Sequence, residues 1–262
     1  MFGRLFAPPL RLRVFGVGLP KTGTTSLAAM FAGHYRASHE SGLQILPAVS
    51  AHLEGELSRE QVFPLLDDRI EQLRLEVDVA SYLGHFVEPL AERYPEARFV
   101  VTVRRCLPWV VSLANHMVGR PLKPGSLWKR YRDARFGRYD EPFAPEEEPL
   151  RELGLFPLRS LFHYWRDETE RMLAEAPPDR TLVIKTAELR ASGPRLSEFL
   201  AIPPETLQPV HANRQRGDAS ALTLIPDDFV LERAEPICGP LMARLYGPDW
   251  VSQTPPRLFR PS

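Results

Sequence analysis

Eight consecutive residues near the amino terminus, Gly18-Leu19-Pro20-Lys21-Thr22-Gly23-Thr24-Thr25, are of the types and spacing that hold a phosphate. The two glycines stand at the GxxxxG spacing of a Walker A loop. Such a loop wraps backbone N–H groups around an anion, and the helix that follows adds positive partial charge from its N-terminus. The departure from that pattern is informative. A triphosphate loop places lysine after the second glycine, where it reaches the β- and γ-phosphates, and then a hydroxyl that meets magnesium. Here Thr24 takes the lysine position, and Lys21 lies inside the loop, beside one phosphate and the oxygen that leaves with it. A second group of interest follows the run Arg98-Phe99-Val100-Val101-Thr102-Val103. That run ends in Arg104 and Arg105, with no acid where a Walker B aspartate is expected. A guanidinium there suits a phosphate dianion through paired, charge-assisted hydrogen bonds.

These residues need elements to position them. Arg13 to Val17 reads as a short strand, and Thr25 to Phe31 as a helix opened by hydroxyl residues, so the loop lies between strand and helix. A weak strand is expected near 36–38, an amphipathic helix over 59–75, a strand over 76–80 and a helix over 86–94. The unbroken apolar run at 98–104 suits the middle of a parallel sheet. Helices follow at 108–117, 160–176, 195–200 and 229–245, with a strand at 181–185. Alternating strands and helices predict an α/β fold, with a central, mainly parallel sheet flanked by helices. Residues 119–157 are rich in proline, arginine and aromatics, with little periodicity, and are expected to form a lid or acceptor-recognition segment within one domain spanning 1–262.

The string Pro20-Lys21-Thr22-Gly23-Thr24-Thr25-Ser26 resembles the 5'-phosphosulfate-binding loop of sulfotransferases that use 3'-phosphoadenosine-5'-phosphosulfate (PAPS), and the run from Tyr94 to Arg104, with Trp109 five positions on, resembles especially the shorter, often bacterial members of that superfamily. The resemblance implies a relative of the P-loop kinase fold that requires no metal. It also implies transfer of a sulfuryl group from PAPS to a hydroxyl or amine, leaving the nucleotide product PAP. Lys21, Thr22, Gly23, Thr24 and Thr25 are then the 5'-phosphosulfate ligands. Ser26 stands where cytosolic animal enzymes carry a tryptophan near the adenine. Family members bind the 3'-phosphate with an arginine after a central strand and a serine eight positions later, here Arg104 and Ser112. Many shorter members read Arg-Asp-Pro at that strand end, whereas this chain reads Arg104-Arg105-Cys106. Asn213-Arg214 and the run from Leu241 to Trp250 are similar to the C-terminal region that covers the nucleotide, which makes Arg214 and Arg216 candidate 3'-phosphate partners.

Lys21 is the residue placed to stabilise charge on the leaving oxygen. Related carbohydrate and tyrosine sulfotransferases draw their general base from the stretch after the first helix. By that resemblance Glu40 is the first candidate and His39 the second. Asp78 and His85 lie where cytosolic enzymes carry a histidine, neither in a matching motif, and a strand-end aspartate and a surface histidine are the plainer readings.

Lysine plus arginine (33) equals aspartate plus glutamate (33), so any anion site is local and the chain as a whole is not expected to bind nucleic acid. Hydrophobic residues at 44% allow a substantial core. Cys106 and Cys238 form no disulfide framework, and a buried, small hydrophobe is the expected role of Cys106. No apolar run approaches the roughly 18 residues of a membrane span, and a cytoplasmic location is expected. The acceptor is left open among small molecules, glycans and lipids. A phosphotransferase using ATP, or a non-catalytic module that binds PAP, remains an alternative.

Overall fold

The computed structural model describes residues 12–209 and 221–252. Five strands form one wholly parallel sheet: β1 (Val14–Gly18), β2 (Ala37–His39), β3 (Val77–Val79), β4 (Arg98–Val103) and β5 (Thr181–Lys185), in the spatial order β2-β3-β1-β4-β5. The register aligns Gly16 with Val79 and with Val100, and Val103 with Lys185. All five strands therefore point one way, and their carboxyl ends form a single rim. The chain runs outward from β1 to β2 and β3, then crosses to β4 and β5 on the other side of β1. That change of direction opens the crevice in which open α/β sheets bind ligands.

The helices are α1 (Thr24–Phe31), α2 (Leu46–Leu53), α3 (Arg59–Leu73), α4 (Val87–Arg93), α5 (Cys106–Gly119), α6 (Leu127–Gly137), α7 (Glu148–Glu152), α8 (Leu158–Glu175), α9 (Gly193–Leu200) and α10 (Asp227–Tyr246). Alternation along β1 and β4 divides the core in two. Val14 and Val100, with Val77, Val79 and Ile184, face Leu27, Phe31 and Leu196 of α1 and α9. Phe15, Val17, Phe99, Val101 and Val103 face the other layer, where Trp109, Tyr164 and Trp165 of α5 and α8 are fully buried. Both faces are covered, so β4 reads as a continuous apolar run.

Local chemistry explains several boundaries. Ser58 and Gln61 form a reciprocal capping box at the start of α3, with N–H···O distances of 3.3 and 2.8 Å. Ser126 accepts from the Lys129 amide (3.3 Å) and starts α6. Helix α5 begins at Cys106, two residues ahead of expectation, because Pro108 fits inside its first turn.

Residues 119–157 correct the expectation of a segment without periodicity, since they contain α6 and α7. Tyr131, Ala134 and Arg135 fall on the buried side of α6, which packs against α2 and α8. An arginine inside the inward stripe breaks the apolar period a reader would look for. Helix α2 also went unforeseen, and His85 is buried between elements rather than exposed. Among the described residues no helix is long and apolar enough to cross a membrane.

Candidate functional site

The rim at the strand ends collects most of the residues singled out by sequence. Strand β1 runs into the 18–25 loop, β2 into Glu40, β3 into Ser81, β4 into Arg104 and β5 into Thr186. The loop is held in one shape by its carbonyls, each of which accepts a hydrogen bond. The Leu19 carbonyl accepts from the Thr22 amide (3.2 Å) and hydroxyl (2.7 Å). The Pro20 carbonyl accepts from the Trp109 indole (2.8 Å), that of Lys21 from Arg104 Nη1 (3.0 Å), and that of Thr22 from the Thr186 hydroxyl (2.6 Å). The Gly23 carbonyl accepts from Leu27, the first bond of α1 (2.9 Å). Five successive carbonyls are thus drawn toward protein donors. The amides of Thr24, Thr25 and Ser26, at the start of α1, have no partner within the helix and are left for an anion. No acidic side chain occupies the first turn of α1.

Two glycines are required by this geometry. Gly23 has φ of 104° and begins α1, a conformation that glycine alone adopts without steric cost. A Cβ on Gly18 would meet the Thr102 hydroxyl at 2.2 Å and that of Thr22 at 2.7 Å. Those two hydroxyls bond each other at 2.7 Å in the interior. With its amide and hydroxyl both engaged, Thr22 shapes the loop rather than offering a donor to a ligand.

Lys21 also has positive φ, 72°, and so does Glu40, at 54°. Left-handed conformations cost a side-chain-bearing residue about 1–2 kcal/mol, and they persist where surrounding structure over-determines them, often at functional sites. The brace around Glu40 is visible. Its amide donates to Val79 O (2.9 Å), and its Oε1 accepts from the Ser81 amide (2.9 Å). The next carbonyl, of Ser41, is gripped by Arg69 Nε (3.1 Å) and by the Tyr82 hydroxyl. Arg69 is in turn paired with Asp78 inside the protein. Asp78 is therefore structural, and its partner is this buried arginine. The second carboxylate oxygen of Glu40 is buried and has no hydrogen-bond partner among the described residues.

His39 Nε2 lies 3.0 Å from the Thr24 hydroxyl and 3.5 Å from that of Thr25. It lies 4.0 Å from Glu40 Oε1. His39 thus ties β2 to the loop, and burial lowers its pKa against the opposing pull of Glu40. Lys21 has its pKa lowered by burial and then by the neighbouring Arg104 and Arg120 cations. No carboxylate acts on it among the described residues. Arg104 is also lowered by burial, and the one group offsetting this is Tyr246, on α10. The Tyr246 hydroxyl is buried, with no hydrogen-bond partner among the described residues, and the Arg105 guanidinium lies 5.0 Å above its ring.

Ser112 is half-buried on α5, and Ser26 is half-buried on α1. Arg214 and Arg216 lie outside the described residues. His85 bonds Tyr131 (3.1 Å) and faces Glu168 (2.9 Å) in a closed internal network. Three residues that the sequence reading gave no individual role lie near the site. His116 stands one turn after Ser112, and its pKa is pushed down to about 4 by burial and by Lys21, Arg120 and Arg135. Arg135 and Tyr246 are the others. Serine and histidine four apart on one helix share a face, a signal that was present in the sequence for His116. Tyr246 lies in the run from Leu241 to Trp250 that resembles the region covering the nucleotide, but nothing in that run singles out its hydroxyl.

A model of the sulfotransferase domain family matches residues 13–215. Among solved structures, the chain is similar to a sulfotransferase from Alicyclobacillus acidocaldarius, with 16% identity over 86% of this chain and 95% of that one, at a TM-score of 0.44. It is also similar to the sulfotransferase domain from the curacin biosynthetic pathway (16% identity, 89% and 98% covered, TM-score 0.42) and to a sulfotransferase from Mycobacterium avium (14%, 91% and 78%, TM-score 0.48). No curated protein matches the chain in sequence.

Proposed function

We propose, from the premise that this chain belongs to the sulfotransferase family, that it takes PAPS as donor and transfers the sulfuryl group to an acceptor bound beside Glu40. The observation that supports this reading most is the loop whose five carbonyls are all engaged by protein donors. Its helix-start amides and an uncompensated lysine are left for one anionic group. The neighbouring cations, with no acid acting on Lys21, fit a ligand that carries several negative charges.

When bound, the donor supplies the sulfuryl group, which passes to the acceptor oxygen as the bridging oxygen leaves with the 5'-phosphate. Lys21 holds the charge that grows on that leaving oxygen, as a preorganised group that need not reorient during reaction. The amides of Thr24, Thr25 and Ser26 hold the 5'-phosphate. Arg104 keeps one guanidinium donor on the Lys21 carbonyl and offers the others to the 3'-phosphate. Tyr246 adds its unpartnered hydroxyl on the same side. Glu40, braced by the Ser81 amide on its Oε1, takes the acceptor proton. A base so placed is worth about 10²–10⁴ in rate. Helix α6 and the segment around it face the acceptor.

Calorimetric titration with PAP, and with ATP in the presence and absence of magnesium, tests the donor class. PAP binding that is independent of magnesium, with ATP much weaker, is the expected outcome. Preference for ATP with magnesium would contradict the reading.

A further inference from the structure

A histidine beside a reacting group is first read as a proton acceptor, but the contacts of His39 point to another role. It is the last residue of β2, and its backbone is held by the pairing of that strand with Val79 of β3. From there Nε2 reaches across to the start of α1, 3.0 Å from the Thr24 hydroxyl and 3.5 Å from that of Thr25. Gly23, which begins the helix, brings no side chain to cap it, and no acid occupies its first turn. One imidazole nitrogen is therefore the protein's only side-chain contact to the Thr24 hydroxyl among the described residues. The contact is open to solvent, since the His39 side chain is 28% exposed and Thr25 is exposed.

A threonine hydroxyl has one proton to give. If Nε2 carries no hydrogen, Thr24 donates to it and turns oxygen lone pairs toward the loop. If Nε2 carries one, His39 donates instead, and the Thr24 proton is free for an anion. Burial draws His39 toward its neutral form against the pull of Glu40, so above the ordinary histidine range the choice lies between two neutral tautomers. In the ligand-free loop, the uncapped helix start and the Lys21 and Arg104 cations make the surroundings positive. That field favours inward lone pairs, with Thr24 donating to Nε2 and the imidazole hydrogen on Nδ1. An anion in the loop reverses the preference. It accepts the hydrogen bond from Thr24, and Nε2 must then donate.

We infer that His39 is a positioning residue for the donor: it sets the orientation of the Thr24 hydroxyl, and filling the loop with an anion turns that hydroxyl over and moves the imidazole hydrogen from Nδ1 to Nε2. Nδ1 releases its proton to water as Nε2 gains one, so no net proton is taken up. With that hydrogen in place, Nε2 is closed to the acceptor's proton. The inference rests on the proposed function for the identity of the anion, which is the donor's 5'-phosphate.

The test uses the full-length chain labelled with nitrogen-15, at about pH 8, above the ordinary histidine range. Proton–nitrogen correlation spectra of the imidazoles, with His39→Gln to assign the His39 signals, report which ring nitrogen carries the hydrogen. The free protein is expected to carry it on Nδ1 and the PAP-saturated protein on Nε2. Adenosine 3'-phosphate, which lacks the 5'-phosphate, should leave His39 as in the free protein. In Thr24→Val the hydrogen should no longer move when PAP is added, and PAP should bind about tenfold more weakly, the size of one hydrogen bond to a charged group. Thr24→Ser should restore both, and PAP binding by each variant reports that it is folded. The same tautomer with and without PAP, a switch produced equally by adenosine 3'-phosphate, or a switch that survives Thr24→Val would overturn the inference. If the variants do not fold, the wild-type comparison of the two nucleotides alone decides it. Failure of PAP to bind the wild-type protein would instead overturn the donor reading on which the inference rests.

Discussion

At the residue scale, the proposed reaction places its heaviest chemical demand on Lys21. It sits in a left-handed backbone conformation, half-buried and next to two other cations. Lys21→Ala should lower the rate of sulfuryl transfer by about 10²–10³-fold, the cost of removing one preorganised stabilising group, with a smaller effect on PAP affinity. Transfer at the wild-type rate would remove Lys21 from the chemistry. His116 gives a second prediction. Burial and three neighbouring cations hold its pKa near about 4, so it is neutral in the free protein at neutral pH. A bound polyanion offsets those cations and raises that pKa. The complex then binds more protons than the free protein as pH falls from about 6.5, the ordinary histidine value, toward 4, and affinity rises over that window. Titration of PAP at pH near 5.5 in buffers of different ionisation enthalpy should show proton uptake, absent in His116→Gln. Equal proton counts for the two proteins would contradict it.

The residues of the loop and of the β4 end were legible in the sequence because their spacing is local. Lys21 and Gly23 are set by one turn, and Arg104 by a strand end. Glu40 and His39 came from resemblance to relatives, and the structure gives them physical content, with His39 on the loop hydroxyls and Glu40 braced beside Ser81. Arg135 and Tyr246 fell in segments the sequence singled out, the 119–157 stretch and the run from Leu241 to Trp250, but their individual places were not legible. Their importance lies in unmatched donors and hydroxyls, and whether a polar group is matched depends on residues far away in sequence.

At the scale of elements, the loop after β2 depends on α3. Arg69 of α3 reaches the Ser41 carbonyl and Asp78 of β3, so one buried cation ties a helix, a strand and the Glu40 turn together. Gly42 makes room for it, because a Cβ there would lie 2.7 Å from Arg69 Nε. Arg69→Met should destabilise the protein by about 3–5 kcal/mol, since it leaves Asp78 as a buried, unpaired charge. Asp78→Asn in the same background should recover part of the loss. Denaturant unfolding curves check both, and a loss well under about 1 kcal/mol would show that the pair holds nothing. Strands and long helices such as α3 and α8 were readable from periodicity and caps. Helix α6 was not, because Arg135 occupies a position that helical patterns reserve for apolar side chains.

For the molecule as a whole, a balanced net charge and a parallel sheet covered on both faces describe a body whose charge is organised locally. The two cysteines report on that body. Cys106 and Cys238 are fully buried near one another, and burial together with the Cys106 neighbour pushes the Cys238 thiol well above its ordinary pKa. Neither should react with Ellman's reagent in the native protein, and both should react once guanidinium unfolds it. Rapid labelling of either under native conditions would show that α5 and α10 pack more loosely than described. The sheet class followed from the alternation of elements, whereas the order β2-β3-β1-β4-β5 did not, because strand neighbours are chosen by tertiary contacts that one sequence does not display.

The most direct measurement is a crystal structure of the full chain with PAP. The account predicts the 5'-phosphate within hydrogen-bond reach of Lys21 Nζ and the amides of Thr24 and Thr25, and the 3'-phosphate against Arg104. A nucleotide bound away from the loop, or one whose phosphates leave Lys21 and Arg104 untouched, would contradict it.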